Sequence, residues 1–127
     1  MIYGVGTDAV EIVRIERALS RFGERFARRI LCEPELGRFR GHRQPAAYLA
    51  KRFAAKEAFS KALGTGIHAP ANWHGVWVSN LRSGKPILEF STPLQDLLSR
   101  RGVTKAHVSL SDERDLAFAT VVLECES

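Results

Sequence analysis

The chain has 127 residues and a mass of 14.2 kDa, with 45% hydrophobic and 26% charged side chains, which suits one compact domain over residues 1–127 and leaves little room for a second. This length buries roughly two-thirds of the unfolded surface without disulfides or a structural metal, and the composition excludes the low-hydrophobicity, high-charge regime of disordered chains. Nineteen Lys and Arg against fourteen Asp and Glu give a net charge of +5, pointing to an acidic partner or an anionic substrate. The excess is uneven: residues 1–61 carry thirteen basic and seven acidic side chains, residues 62–127 six and seven. Cys32 and Cys125 form no Cys-x-x-Cys motif and no disulfide framework, so a reduced, cytoplasmic protein is expected. The start has no basic region leading into an apolar one, as a secretory signal would. The longest apolar run, Ala117 to Leu123 broken by Thr120, is far below the roughly 18 residues of a membrane span, so no membrane contact is expected.

In chain order, Ile2 to Gly6 reads as a short strand. Asp8-Ala9-Val10-Glu11 then has the D-x-x-E form of a helix start, so a helix is predicted from near Asp8. Ile12, Ile15 and Leu19 recur at helical spacing, and Gly23 separates a second amphipathic piece with Phe26, Ile30 and Leu31. The other faces carry Arg14, Arg17, Arg21, Arg25, Arg28 and Arg29, relieved by Glu16 and Glu24. Phe22, Phe26 and Phe39 are expected to be buried by these helices. Pro34 opens a short helical turn, and Pro45 starts the longest helix, which Gly64 ends after Leu63. His74 to Asn80 reads as a strand, Ser83-Gly84-Lys85-Pro86 as a turn, and Ile87 to Phe90 as its partner strand. Ser91 or Thr92 caps a helix that stops before Gly102. Ala106–Leu110 and Leu116–Leu123 read as paired strands about a polar turn. The order β, helices, β-β, α, β-β predicts an α+β fold.

Gly4-Val-Gly-Thr-Asp-Ala9 formally matches the G-x-G-x-x-[GA] dinucleotide fingerprint, but no regular βαβ alternation follows it; the glycines are better read as permitting a turn or close backbone packing. Asp8 has two readings, an N-cap or a hard oxygen ligand at a strand end. Glu57 and Lys61 stand one turn apart, as an ordinary i,i+4 ion pair would. In combination, two oxygen ligands for Mg²⁺ beside a lysine and further cations would suit a pyrophosphate substrate. His42, His68, His74 and His107 show no zinc-ligand spacing. An RNA-binding module would explain the arginines, but no RNP-type aromatic strand accompanies them, so nucleic acid is not the expected partner.

Three stretches carry a resemblance: Ile2 to Ile15 with G-x-G-x-D-x-V-E-I, Arg52 to Gly66 with F-x-x-K-E-A-x-x-K-A-x-G-T-G, and His107-Val-Ser-Leu-Ser111. In this order, spanning nearly the whole chain, they resemble bacterial holo-acyl-carrier-protein synthase. The resemblance implies a 4′-phosphopantetheinyl-transferase-like domain with an antiparallel-rich sheet packed on a long helix. It also implies a homotrimer with active sites between neighbouring subunits. The implied reaction moves 4′-phosphopantetheine from coenzyme A to a serine of apo-acyl carrier protein, with Mg²⁺, in fatty acid biosynthesis. Asp8 and Glu57 are the implied Mg²⁺ ligands; Glu57, directly or through a metal-bound water, is the implied base, and Lys61 the implied contact to the departing phosphate. Arg52 falls at the family's nucleotide-phosphate position, and Gly84, Lys85 and Pro86 at its turn near the adenine end. Arg14 and Arg21 match the helix that docks the acidic carrier protein, with Arg17 and Arg25 close by. Many members carry Ser-His where this chain has Ser111-Asp112, so no histidine role transfers; Asp112 either faces the metal or organises the turn.

Overall fold

A computed structural model describes residues 1–126. The elements are β1 (Ile2–Glu11), α1 (Ile12–Phe22), α2 (Glu24–Ile30), α3 (Glu33–Arg40), α4 (Pro45–Leu63), β2 (Val76–Asn80), β3 (Pro86–Phe90), α5 (Thr92–Arg100), β4 (Val103–Asp112) and β5 (Leu116–Cys125). Antiparallel strands in the order β1-β5-β4 form one sheet, and β2 and β3 form a separate hairpin, so the α+β class expected from element order is what the chain adopts. Among the described residues no helix is long and apolar enough to cross a membrane.

The start of the chain departs from the expectation. Asp8 does not cap a helix: β1 runs on to Glu11, with Asp8 opposite Ala119 and Glu11 opposite Leu116 of β5. The local D-x-x-E signal loses to a ladder made with residues more than a hundred positions away. Helix α1 begins only at Ile12, whose N–H donates to the Asp115 carbonyl at 2.9 Å. Phe22 also departs, being half exposed with the Arg21 guanidinium 5.2 Å from its ring centroid, whereas Phe39 is buried as expected.

Helix α4 is the centre of the molecule. Its interior is alanine-rich, and Ala50, Ala54, Ala55 and Ala58 are all fully buried. Where it crosses β1, small residues on both sides allow backbone contact: a Cβ on Gly4 would lie 2.0 Å from the Ala62 carbonyl oxygen, and one on Gly6 1.9 Å from that of Ala58. Gly64 closes the helix with φ 87°, in the left-handed region. The opposite side of α4 faces β2, the loop before it and α3, where two charges are entirely enclosed. The Lys56 ammonium donates to Glu35 Oε1 at 2.8 Å, the Ile30 carbonyl at 2.7 Å and the Trp73 carbonyl at 2.8 Å. Glu35 also accepts from the N–H groups of Cys32 and Val78, each at 2.9 Å. Every valence of the pair is therefore used, the condition for tolerating buried charge.

Candidate active site

Asp8 projects toward α4 because even-numbered residues of β1 face that helix, as the burial of Gly6 and Val10 shows. The absence of side chains on Gly4 and Gly6 draws the helix in, so the residue that continues this face meets the exposed edge of α4. Lys61 donates to Asp8 Oδ1 at 3.1 Å and to the Thr7 carbonyl at 2.9 Å. Lys61 is thus paired across elements, and the i,i+4 relation to Glu57 is not its principal contact. Glu57 stands one turn earlier on α4, and burial, together with the charge of Asp8, holds its carboxyl above the usual carboxylate range; Lys61 only partly offsets this. Two carboxylates thus feel each other beside one ammonium, at an open cleft of about 460 Å³ lined by Thr7, Asp8, Ala9, Lys61, Phe118, Ala119 and Thr120.

Arg52 and the Gly84-Lys85-Pro86 turn gather elsewhere. Arg52 is 5% exposed, with its guanidinium 4.1 Å from the Tyr48 ring centroid, and its Nη2 donates to Asn80 Oδ1 at 3.2 Å. Burial lowers its pKa from the ordinary arginine value. Asn80 Nδ2 donates in turn to the Gly84 carbonyl at 3.0 Å, which ties Arg52 to the turn. Arg52 and Lys61 are nine positions apart, about two and a half helical turns, so they leave opposite sides of α4 and are about 13 Å apart along its axis. One chain assembles Asp8, Glu57 and Lys61 at one place and Arg52, Gly84, Lys85 and Pro86 at another.

Arg14, Arg17, Arg21 and Arg25 are all exposed, and none forms an ion pair among the described residues. Asp112 pairs with Lys51 of α4 at 3.0 Å, while the turn beside it closes through the Glu113 N–H on the Leu116 carbonyl. Its contact is therefore to the helix, neither expected role. No cluster of three or more His, Cys, Asp or Glu exists among the described residues. Sequence reasoning missed the buried Lys56 and the contacts of Arg38 and Asn80. Lys56 had a legible signal, since helical spacing puts it on the stripe of Leu49, Phe59 and Leu63.

A family model described as the 4′-phosphopantetheinyl transferase superfamily matches residues 4–121. An α+β chain that meets that model over nearly its whole length, with two carboxylates and a lysine at one strand–helix crossing, belongs to this superfamily. The holo-[acyl-carrier-protein] synthase of Nitrosomonas europaea is 50% identical over 124 residues, covering 98% of this chain and 99% of the relative. That of Vibrio parahaemolyticus is 54% identical over 123 residues, covering 97% and 98%. The crystal structure of holo-[acyl-carrier-protein] synthase from Neisseria meningitidis gives a TM-score of 0.94 at 44% identity, covering 98% and 99% of the two chains. One from Bacillus anthracis in complex with CoA (3′,5′-ADP) gives 0.83 at 39% identity, covering 99% of each. The chain is thus an enzyme of the holo-[acyl-carrier-protein] synthase family within that superfamily.

Proposed function

We propose that this enzyme transfers 4′-phosphopantetheine from coenzyme A to a serine hydroxyl of an acidic apo-acyl carrier protein, in the cytoplasm, as a step serving fatty acid biosynthesis. The observation that carries the reading is the meeting of Asp8, Glu57 and Lys61 where β1 crosses α4, within a chain about half identical to enzymes of that name. The donor set fits Mg²⁺: hard carboxylate oxygens, few in number, with mutual repulsion that a dication relieves. Mg²⁺ ordinarily takes one or two carboxylates and keeps its remaining positions for water and phosphate, so Asp8 and Glu57 suffice. When bound, the ion supplies neutralising charge for the coenzyme A pyrophosphate.

The chain's own groups account for the rest. The serine oxygen attacks the phosphorus bearing the pantetheine arm, and the bond from that phosphorus to the oxygen bridging it to the adenosine moiety breaks. Glu57, with its carboxyl held above the ordinary range, takes the serine proton. Lys61 stabilises the charge that develops on the departing adenosine 3′,5′-bisphosphate. Arg52, Gly84, Lys85 and Pro86 receive the nucleotide. Arg14, Arg17, Arg21 and Arg25, with exposed Val13 and Phe22 among them, form the face for the acidic carrier. The separation of Lys61 from Arg52 across α4 supports sites completed by a neighbouring subunit, as in a homotrimer. The sheet face opposite α4, where Val5 is 56% exposed, offers apolar surface for such an assembly.

The test is incubation with Mg²⁺, coenzyme A and apo-acyl carrier protein, read by mass spectrometry for a phosphopantetheine increment on the carrier serine. No increment on a carrier that another transferase modifies would overturn the reading. Asp8→Ala, Glu57→Ala or chelation of the metal abolishes transfer, whereas Lys61→Ala lowers kcat more than metal affinity.

A further inference from the structure

Asn80 lies at the end of β2 with two cations on one oxygen. Its Oδ1 accepts from Arg38 Nη1 at 2.5 Å and from Arg52 Nη2 at 3.2 Å. The Gly84 carbonyl accepts from its Nδ2 and so fixes which end of the carboxamide faces the arginines. Neither guanidinium has a carboxylate partner among the described residues; the acid nearest Arg52, Glu35, is committed to Lys56 and two backbone N–H groups. Arg52 Nε is buried with no hydrogen-bond partner. Nε and Nη2 are the two prongs of the side-on fork that a guanidinium presents to an oxyanion. A single amide oxygen fills one prong and leaves the other empty, and an unmet buried donor is costly. Two unneutralised cations sharing a neutral acceptor, with Lys85 exposed on the adjoining turn, are complementary to a group with several charged oxygens.

We infer that Asn80 is a positioning residue that holds Arg38 and Arg52 ready for the monoester phosphate of coenzyme A, with its carboxamide oxygen in the place of a phosphoryl oxygen, and that Arg38 is a second arm of this receptor. The inference rests on the transferase reading above. Once the pyrophosphate lies with Lys61 and the carboxylates, the phosphate monoester on the ribose is the remaining anion of the coenzyme. On binding, a phosphoryl oxygen displaces Asn80 Oδ1 and a second one reaches the vacant Nε prong. The site therefore selects donors that carry the ribose phosphate.

The test compares coenzyme A with 3′-dephospho-coenzyme A as donors to the same apo-carrier. In Arg38→Gln the ratio of kcat/KM between the two donors falls about tenfold, the size of one lost charge-assisted contact, with the loss in KM for coenzyme A. Asn80→Asp lowers the ratio further than Asn80→Ala, because a carboxylate competes with the phosphate for both arginines; a residue that merely shaped the turn would reduce both donors together. Calorimetric titration with adenosine 3′,5′-bisphosphate and with 5′-AMP gives a readout independent of turnover, and the wild-type preference for the bisphosphate shrinks in both variants. A donor ratio and a bisphosphate preference unmoved by Arg38→Gln, in an enzyme that still transfers, would overturn this inference alone. Failure of the wild type to transfer from either donor would instead overturn the transferase reading.

Discussion

Cys32, at the head of α3, is placed by its neighbours in a way that determines its chemistry. Its thiol is directed at the carbonyl oxygens of His74 at 3.5 Å, Val76 at 3.8 Å and Trp73 at 3.9 Å. Burial raises its pKa, the Glu35 charge adds to this, and Lys56 only partly offsets it. The neutral thiol is thus the form the fold favours. Between the ordinary thiol pKa and the raised native one, the unfolded chain has released a proton that the native chain retains, so this group's contribution to stability falls as pH rises through that window. Iodoacetamide labelling at pH 8.5, followed by peptide mass spectrometry, is expected to modify Cys32 far more slowly in the native protein than in urea. The difference narrows as pH approaches the native pKa. Equal rates in the two states would contradict the placement of the thiol. The same dependence on surroundings distinguishes Glu57, where burial and a neighbouring carboxylate, not any property of glutamate, raise the pKa.

Helix α4 carries the protein's chemistry because both of its sides are pinned. On the β1 side, Gly6→Ala would drive a Cβ to 1.9 Å from the Ala58 carbonyl oxygen, a backbone atom that cannot rotate aside. The expected cost is about 1–3 kcal/mol or more, seen as a lowered urea midpoint. Transfer activity at temperatures where the variant remains folded also drops, because the helix that bears Glu57 and Lys61 moves away from Asp8. On the other side, Lys56→Met leaves Glu35 charged and enclosed, which costs about 3–5 kcal/mol by the usual penalty for breaking a buried pair, measurable by equilibrium denaturation; a loss under 1 kcal/mol would mean that water reaches Glu35. These elements were legible to different degrees. Pro45 and Gly64 bracket α4 by local chemistry, and Ser91 caps α5 through the Leu94 N–H as its sequence implies. The extension of β1 through Asp8 was not legible, because it depends on pairing with β5 and not on any nearby residue. Nor does spacing reveal that Asp8 and Lys61 meet across 53 positions, or that Asn80 gathers Arg38 and Arg52; the first pairing was reachable only through the family resemblance and the second not at all.

At the scale of the molecule, α4 keeps its two chemical faces apart. Lys61 leaves one side toward β1 and Arg52 the other toward β2, and the body of the helix, about 10 Å across with its side chains, lies between them. The phosphates of one coenzyme A cannot bridge that body within a single subunit. If a neighbour supplies the missing half, two inactive variants should repair each other. Asp8→Ala lacks the metal side and retains Arg52; Arg52→Ala lacks the nucleotide side and retains Asp8. In trimers formed at random from equal amounts of both, a site is intact when an Arg52→Ala subunit faces an Asp8→Ala subunit in the productive order, which holds for about a quarter of sites in a cyclic assembly. Co-expressed variants are therefore expected to recover about a quarter of the wild-type rate, measured at a coenzyme A concentration where neither variant alone turns over. A chain that completes its own site gives no recovery, because every subunit in the mixture has one defective half. Sedimentation of each variant at the size of the wild-type assembly excludes a failure to assemble as the cause of a null result, so zero recovery from intact trimers would place both halves of the site on one subunit.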